Sequence, residues 1–187
     1  MSPLPLPTYI PAEVCSAVGL AVSTPLETCM SAVQASVART GVAAPVADRA
    51  ALEKIVADAR GRGIDLKVVV LDQSPPIDTP LRDIASQIGS VDPDSTVLVL
   101  SPGSAGSSSK VYDRVLLEAG QDVAKLAPNP VQGSTNFVDQ LATPIFPWTS
   151  FTVLLVLAVG AAAVATRYLR RWAASDSPAE NAHSQRT

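Results

Sequence analysis

Residues 148–166, WTSFTVLLVLAVGAAAVAT, carry no charge over 19 positions. At 1.5 Å per residue a helix of that length reaches roughly 28 Å, close to the hydrocarbon thickness of a bilayer. Thr149, Ser150 and Thr152 are its only polar side chains before Thr166, so a soluble helix would have no polar face to turn to water. Arg167, Arg170 and Arg171 follow at once with Tyr168 and Trp172 among them, and Phe146 and Trp148 stand at the other rim. Aromatic rims and a basic flank place one transmembrane helix at 146–172, with Phe151, Leu155 and Gly160 inside it. A polar tail, 173–187, follows and is expected to be disordered.

Residues 1–147 are long enough for a domain with its own core. They hold 10 Lys and Arg against 15 Asp and Glu, a net −5. An acidic body without a basic stripe excludes nucleic acid as a partner. Aromatic residues are few, with three Phe, three Tyr and two Trp in the chain, so the core must be built from Val, Leu, Ile and Ala. No Lys or Arg precedes Arg39, and Ser16 and Gly19 interrupt the apolar run at 14–22. No secretory signal is expected there. Nothing basic lies between Lys125 and Arg167. The positive-inside bias therefore favours a single pass of the plasma membrane with a cytoplasmic C-terminus and an extracytoplasmic domain, although the missing signal weighs the other way.

Cys15 and Cys29 leave two readings open. A disulfide between them closes a loop of about 15 residues, worth about 3 kcal/mol in the chain-entropy model. Alternatively they are two small buried apolar side chains. The one histidine, His183, lies far off in the tail, and the spacing fits no zinc site.

The chain opens on a proline-rich leader that cannot be helical. Thr24-Pro25-Leu26-Glu27 has the pattern of an N-cap, a first-turn proline and a capping box. Leu26, Cys29, Met30, Val33 and Val37 then repeat at helical spacing up to Gly41. Residues 42–46, with Pro45, read as a connector. Asp48 is the expected cap of the next helix, which carries Leu52, Ile55, Val56 and Ala59 and ends near Gly61. The run 66–71, LKVVVL, reads as a buried strand, and Ser74-Pro75-Pro76 forces a loop. Thr79-Pro80 opens a helix with Leu81, Ile84, Ala85 and Ile88 on one face, ending at Gly89. Residues 96–100, TVLVL, form a second strand, parallel to the first through a right-handed crossover.

Residues 101–109, SPGSAGSSS, are expected to be a flexible loop or hairpin turn. Residues 110–117 read as a third strand, because Val111, Val115 and Leu117 alternate with polar neighbours. A helix is expected from Gln121 to Ala127. Asn129-Pro130 interrupts it, and Thr135 caps a last short helix with Phe137, Val138 and Leu141. The resulting plan has a leader and N-terminal helical segment at 1–44, an α/β domain with a central sheet flanked by helices at 45–145, the span at 146–172 and the tail at 173–187.

The order of GIDLKVVVLD, a loop, TPLRDIASQIG, TVLVLSPG and VYDRVLLEAG resembles the TPM domain, a small α/β fold of membrane-tethered bacterial proteins and some thylakoid phosphatases. YIP at 9–11, PPIDTPLRDIA at 75–85, VLLEAGQD at 115–122 and FPW at 146–148 resemble, more closely, a family of uncharacterised actinobacterial, mycobacterial-type, membrane proteins. That likeness covers about residues 8–172 and marks out 15–34 as an extra stretch. Relatives in the family are encoded beside peptidoglycan endopeptidases of the NlpC/P60 type and a MoxR-type ATPase, which implies work in the cell envelope.

Chemistry is sparse. Asp72 and Asp78, near the carboxyl end of the first strand, are the candidate ligands for a divalent cation, and a weak metal-dependent phosphatase of TPM type is the catalytic alternative. Ordinary turn and cap chemistry accounts for the same acids. Ser101 and Ser104 have no histidine at hand to activate them. GSAGSSSK lacks the GKS or GKT order of a phosphate loop. The remaining reading is a non-catalytic interaction module, tethered to the bilayer and contacting another envelope protein. Its expected contact loop is Pro75, Pro76 and Ile77, stiffened by the prolines.

Overall fold

The computed structural model describes residues 9–143 and 148–175, with side chains from 150 to 172 in the second range. The proline-rich leader, the FPW residues before Trp148 and the polar tail beyond Ser175 lie outside the described residues. The chain divides into two compact units, Met1–Thr143 and Pro144–Thr187.

In the first unit a 3-10 helix, Ala12–Val18, precedes α1 (Leu26–Thr40), β1 (Val42–Ala43), α2 (Val46–Gly61), β2 (Leu66–Val70), α3 (Thr79–Gly89), β3 (Thr96–Ser101), β4 (Ser104–Ser108), α4 (Arg114–Lys125) and α5 (Pro130–Ala142). The sheet order is β1-β2-β3-β4. The first three strands are parallel, with Val42 opposite Val68 and Val68 opposite Leu98, and β4 returns antiparallel, with Leu100 opposite Ala105.

The strand residues are apolar on both faces because both faces are covered. Leu66, Val68, Val70, Leu98 and Leu100 join Leu52, Val56, Leu117, Phe137 and Leu141 from α2, α4 and α5. Val69, Leu71, Val97 and Val99 point the other way, against Val14, Val33 and Val37, and Leu81, Ile84 and Ile88 of α3. The fold is a three-layer α/β/α arrangement, as the strand–helix–strand pattern implied. Segment 1–44, as far as it is described, is not apart from the sheet, since the 3-10 helix and α1 form half of one covering layer.

Six local expectations change. Residues 42–46 are not a mere connector: Val42–Ala43 pair with β2, and the Val68 N–H donates to the Gly41 carbonyl at 2.8 Å. Thr24 does not cap α1, which starts after Pro25 without a side-chain cap. Asp48 does not cap α2 either. The N–H groups of Asp48 and Arg49 both turn back to the Pro45 carbonyl, so the helix begins at Val46 and Asp48 sits in its first turn, where a carboxylate still suits the positive end.

The largest correction concerns 104–117. The third long strand is Ser104–Ser108, not 110–117, which instead runs into α4. Leu117, Gly120 and Ala124 are buried at helical spacing while Val115 is exposed, so the apparent alternation at 111–117 was the edge of a helical pattern. Finally, Asn129-Pro130 starts a helix rather than interrupting one: Asn129 Oδ1 accepts the Gln132 N–H at 2.8 Å, and Pro130 takes the first position, where no N–H is needed. Thr135 lies within α5, its hydroxyl donating to the Val131 carbonyl.

The second unit is α6 (Trp148–Ser175). Its described side chains are exposed, and Ser150–Trp172 is long and apolar enough to cross a bilayer.

Candidate functional site

A crevice of about 380 Å³ opens at the carboxyl ends of the parallel strands. Open α/β sheets take ligands there because the connectors diverge and leave a gap. Val70 and Leu71 after β2, and Leu100 and Ser101 of β3, form its floor. Pro45 and Asp48 close one side, Pro102 and Gly103 a second, and the α4–α5 connector with Pro128, Asn129 and Pro130 a third. Four prolines therefore line it, so its walls have few backbone torsions left to freeze on binding.

The loop after β2 is pinned on both sides. The Asp72 N–H donates to Ser16 Oγ at 3.1 Å. Ser74 Oγ donates to the Pro102 carbonyl and lies 3.1 Å from Ser101 Oγ. Ser104 Oγ donates to Asp78 Oδ1 at 2.7 Å. Asp72 lines the crevice, whereas Asp78 is engaged at the turn end of the β3–β4 hairpin. Pro75 is buried, while Pro76 and Ile77 stand free, Ile77 being 62% exposed. Among the described residues no three His, Cys, Asp or Glu side chains cluster at metal-binding distance.

Lys125 is the cation of the crevice wall. Its ammonium donates to Asp122 Oδ1 at 2.6 Å. That hydrogen bond and the Asp122 charge hold its pKa above 10.5, against a small desolvation effect and with a lesser push from Asp78. Asp48 and Asp72 are the carboxylates of the wall. Two large apolar side chains flank it, Val46 at 82% exposure and Leu126 at 81%. Sequence reasoning found the Asp72–Asp78 side of this site and missed the side at 124–130. The available signal was Asn129-Pro130, a cap followed by a first-turn proline.

Cys15 and Cys29 are joined by a disulfide that ties the 3-10 helix to α1. Ser16, the anchor of Asp72, is the next residue along. At the opposite end of the sheet, Arg62 Nη1 and Asp139 Oδ1 meet at 2.6 Å, between the end of α2 and the last turn of α5. The chain therefore leaves this unit at the end away from the crevice.

A family model described as membrane protein Rv1476 matches residues 9–181. The chain belongs to the Rv1476 membrane protein family. A curated relative, "Membrane protein Rv1476" of Mycobacterium tuberculosis, is 49% identical over 165 residues, covering 88% of this chain and 81% of the relative. The range matched by the Rv1476 model takes in 15–34, the stretch read from sequence as extra to the family, and those residues supply the disulfide and much of α1. No solved structure matches the chain. Membership makes the chain a membrane protein, with α6 its candidate span.

Proposed function

We propose that the first unit is a non-catalytic docking module, tethered by α6, whose crevice receives an apolar segment of another cell-envelope protein. The observation that carries this reading is the proline-walled crevice flanked by exposed Val46 and Leu126, with Ile77 exposed farther along the loop that leaves the crevice at Asp72. A rigid apolar recess loses little entropy on binding and gains from each apolar contact it desolvates. Asp48 and Asp72 add negative charge to the wall while Lys125 is neutralised by Asp122, so the fitting segment carries a basic side chain beside its apolar ones. The likeness to TPM domains, carried by the strand–helix–strand order, supports the same class of membrane-tethered module.

We further place this unit outside the cytoplasm. Two observations support that side independently: the arginines cluster beyond the span with no basic residue from 126 to 166, and a disulfide persists in an oxidising compartment. A photo-reactive side chain at position 77 or 126, in the full chain in its native membrane, should capture one partner in common. At Val91, 70% exposed beyond α3 near the other end of the strands, it should not. Equal capture at all three positions would refute docking at the crevice. A cytosolic reporter fused after Thr187 should be active, and an inactive one reverses the assigned side while leaving the docking reading to the cross-links.

A further inference from the structure

α6 does not stop where its apolar run ends. It continues as regular helix through Trp172 to Ser175, so the side chains beyond Thr166 hold fixed angular positions. At 3.6 residues per turn, Arg167, Arg170 and Arg171 fall within an arc of about 100°, with Tyr168, Leu169 and Trp172 on the rest of the circumference. Tyr168 and Leu169 are each 65% exposed. No Asp or Glu occurs from Trp148 to Ser175, and among the described residues none of the three arginines forms an ion pair.

Below the arginines the helix surface is hollow. Ala163 lies one turn earlier on the same face, and with Thr166 and the three arginines it lines a recess. The Thr166 hydroxyl donates back to the Ala162 carbonyl at 2.7 Å, so the donors that face the recess are guanidinium N–H groups. Planar forks of that kind match the oxygens of a phosphate. The recess runs from the basic arc onto the apolar span, which is the path of a lipid from headgroup to acyl chain.

We propose that this face of α6 is a binding site for an anionic phospholipid of the surrounding membrane. The arginines take the phosphodiester, and the glycerol and upper acyl chain lie over Ala163. A zwitterionic headgroup is disfavoured, because its ammonium would enter the field of three clustered guanidinium groups. Tyr168 and Trp172, on the other side of the helix, hold the arginines at headgroup depth. The site is built from α6 alone and depends neither on the crevice nor on which leaflet the arginines occupy.

The test uses the full chain in nanodiscs of phosphatidylcholine with an equal share of phosphatidylglycerol or cardiolipin, released into a mass spectrometer under native conditions. The parent should retain the anionic lipid over phosphatidylcholine. Arg167→Gln/Arg170→Gln/Arg171→Gln should reduce that preference by at least about tenfold, since each basic side chain near an anionic surface is worth about fivefold in affinity. Ala163→Leu, which keeps every charge and fills the recess, should reduce retention severalfold and serves equally if the triple variant does not insert. A parent without preference, or variants that retain the anionic lipid as the parent does, would overturn the site.

Discussion

Gln121 of α4 takes the place beside Ser107 that a fifth strand would occupy. β4 is the edge of the sheet, and an edge leaves alternate backbone groups unpaired. With its amide oriented so that both ends find partners, Gln121 Oε1 accepts the Ser107 N–H at 3.1 Å and its hydroxyl at 2.7 Å, while Nε2 donates to the Ala105 carbonyl at 3.3 Å. A carbonyl at one residue and an N–H two residues on are what the N–H and C=O of a single residue on a parallel neighbouring strand would engage. The side-chain amide stands in for that pair of backbone groups and closes an edge whose sequence, SAGSS, carries no charge to protect it.

Gln121→Leu should therefore be costly beyond its size. It strands a donor and an acceptor at nearly buried residues, a loss of about 1–3 kcal/mol. It also uncovers a strand edge, so the variant should self-associate with rising concentration. Thermal melting and sedimentation of the detergent-solubilised chain measure the two effects. A variant that melts with the parent would remove Gln121 from this role.

The approach of α3 to β4 sets a second expectation. A Cβ at Gly106 would lie 2.6 Å from the Arg82 nitrogen and 2.7 Å from the Leu81 carbonyl carbon. Backbone atoms cannot step aside as a side-chain tip can, so Gly106→Ala should destabilise by about 1–3 kcal/mol. Gly61, at the end of α2, meets nothing within 4 Å and has no positive φ, so Gly61→Ala should be neutral or stabilising by up to about 1 kcal/mol. Chemical denaturation of the pair separates crowding from the general effect of removing a glycine.

These contacts explain what could and could not be read from the sequence. β2, β3 and α3 were legible because Leu66–Val70 and Thr96–Ser101 are nearly continuous apolar runs, and α3 has a proline start and a clean inner face. β4 was not legible. Ser104–Ser108 has no β-branched or aromatic residue, and it is a strand because β3 pairs with it and α3 closes over Gly106. Those causes are tertiary. The crevice divides along the same line: Asp72 to Ile77 lie on a loop that proline spacing announces, whereas Lys125 to Pro130 reach the site only through the packing of α4 and α5. Phe137 shows how close that packing is, since a Cβ at Gly120 would come within 2.7 Å of its ring.

Val69 and Val99 test the sheet itself. Both are 0% exposed and face the α1 and α3 layer. Val69→Asp or Val99→Asp would bury a carboxylate without a partner, a cost of several kcal/mol that a marginally stable domain cannot absorb. Neither variant should show a cooperative melting transition. Val91→Asp, at an exposed site, should melt with the parent.

The disulfide gives the last expectation, because it reaches the crevice through one intervening residue. Cys15 is bonded to Cys29, and Ser16 accepts the Asp72 N–H at 3.1 Å. Reduction frees the 3-10 helix from α1 and restores chain entropy to the unfolded state, a loss of about 2–4 kcal/mol of stability for a loop of this length. The local effect should be larger than the global one at Asp72, whose amide depends on Ser16 staying in place. Cys15→Ser/Cys29→Ser, or the parent treated with a reductant, should melt lower and exchange the Asp72 amide faster. Amides in the middle of β3 should change only as much as global stability does. If the Asp72 amide follows β3 rather than running ahead of it, the bridge stabilises the fold but does not position the loop at the crevice.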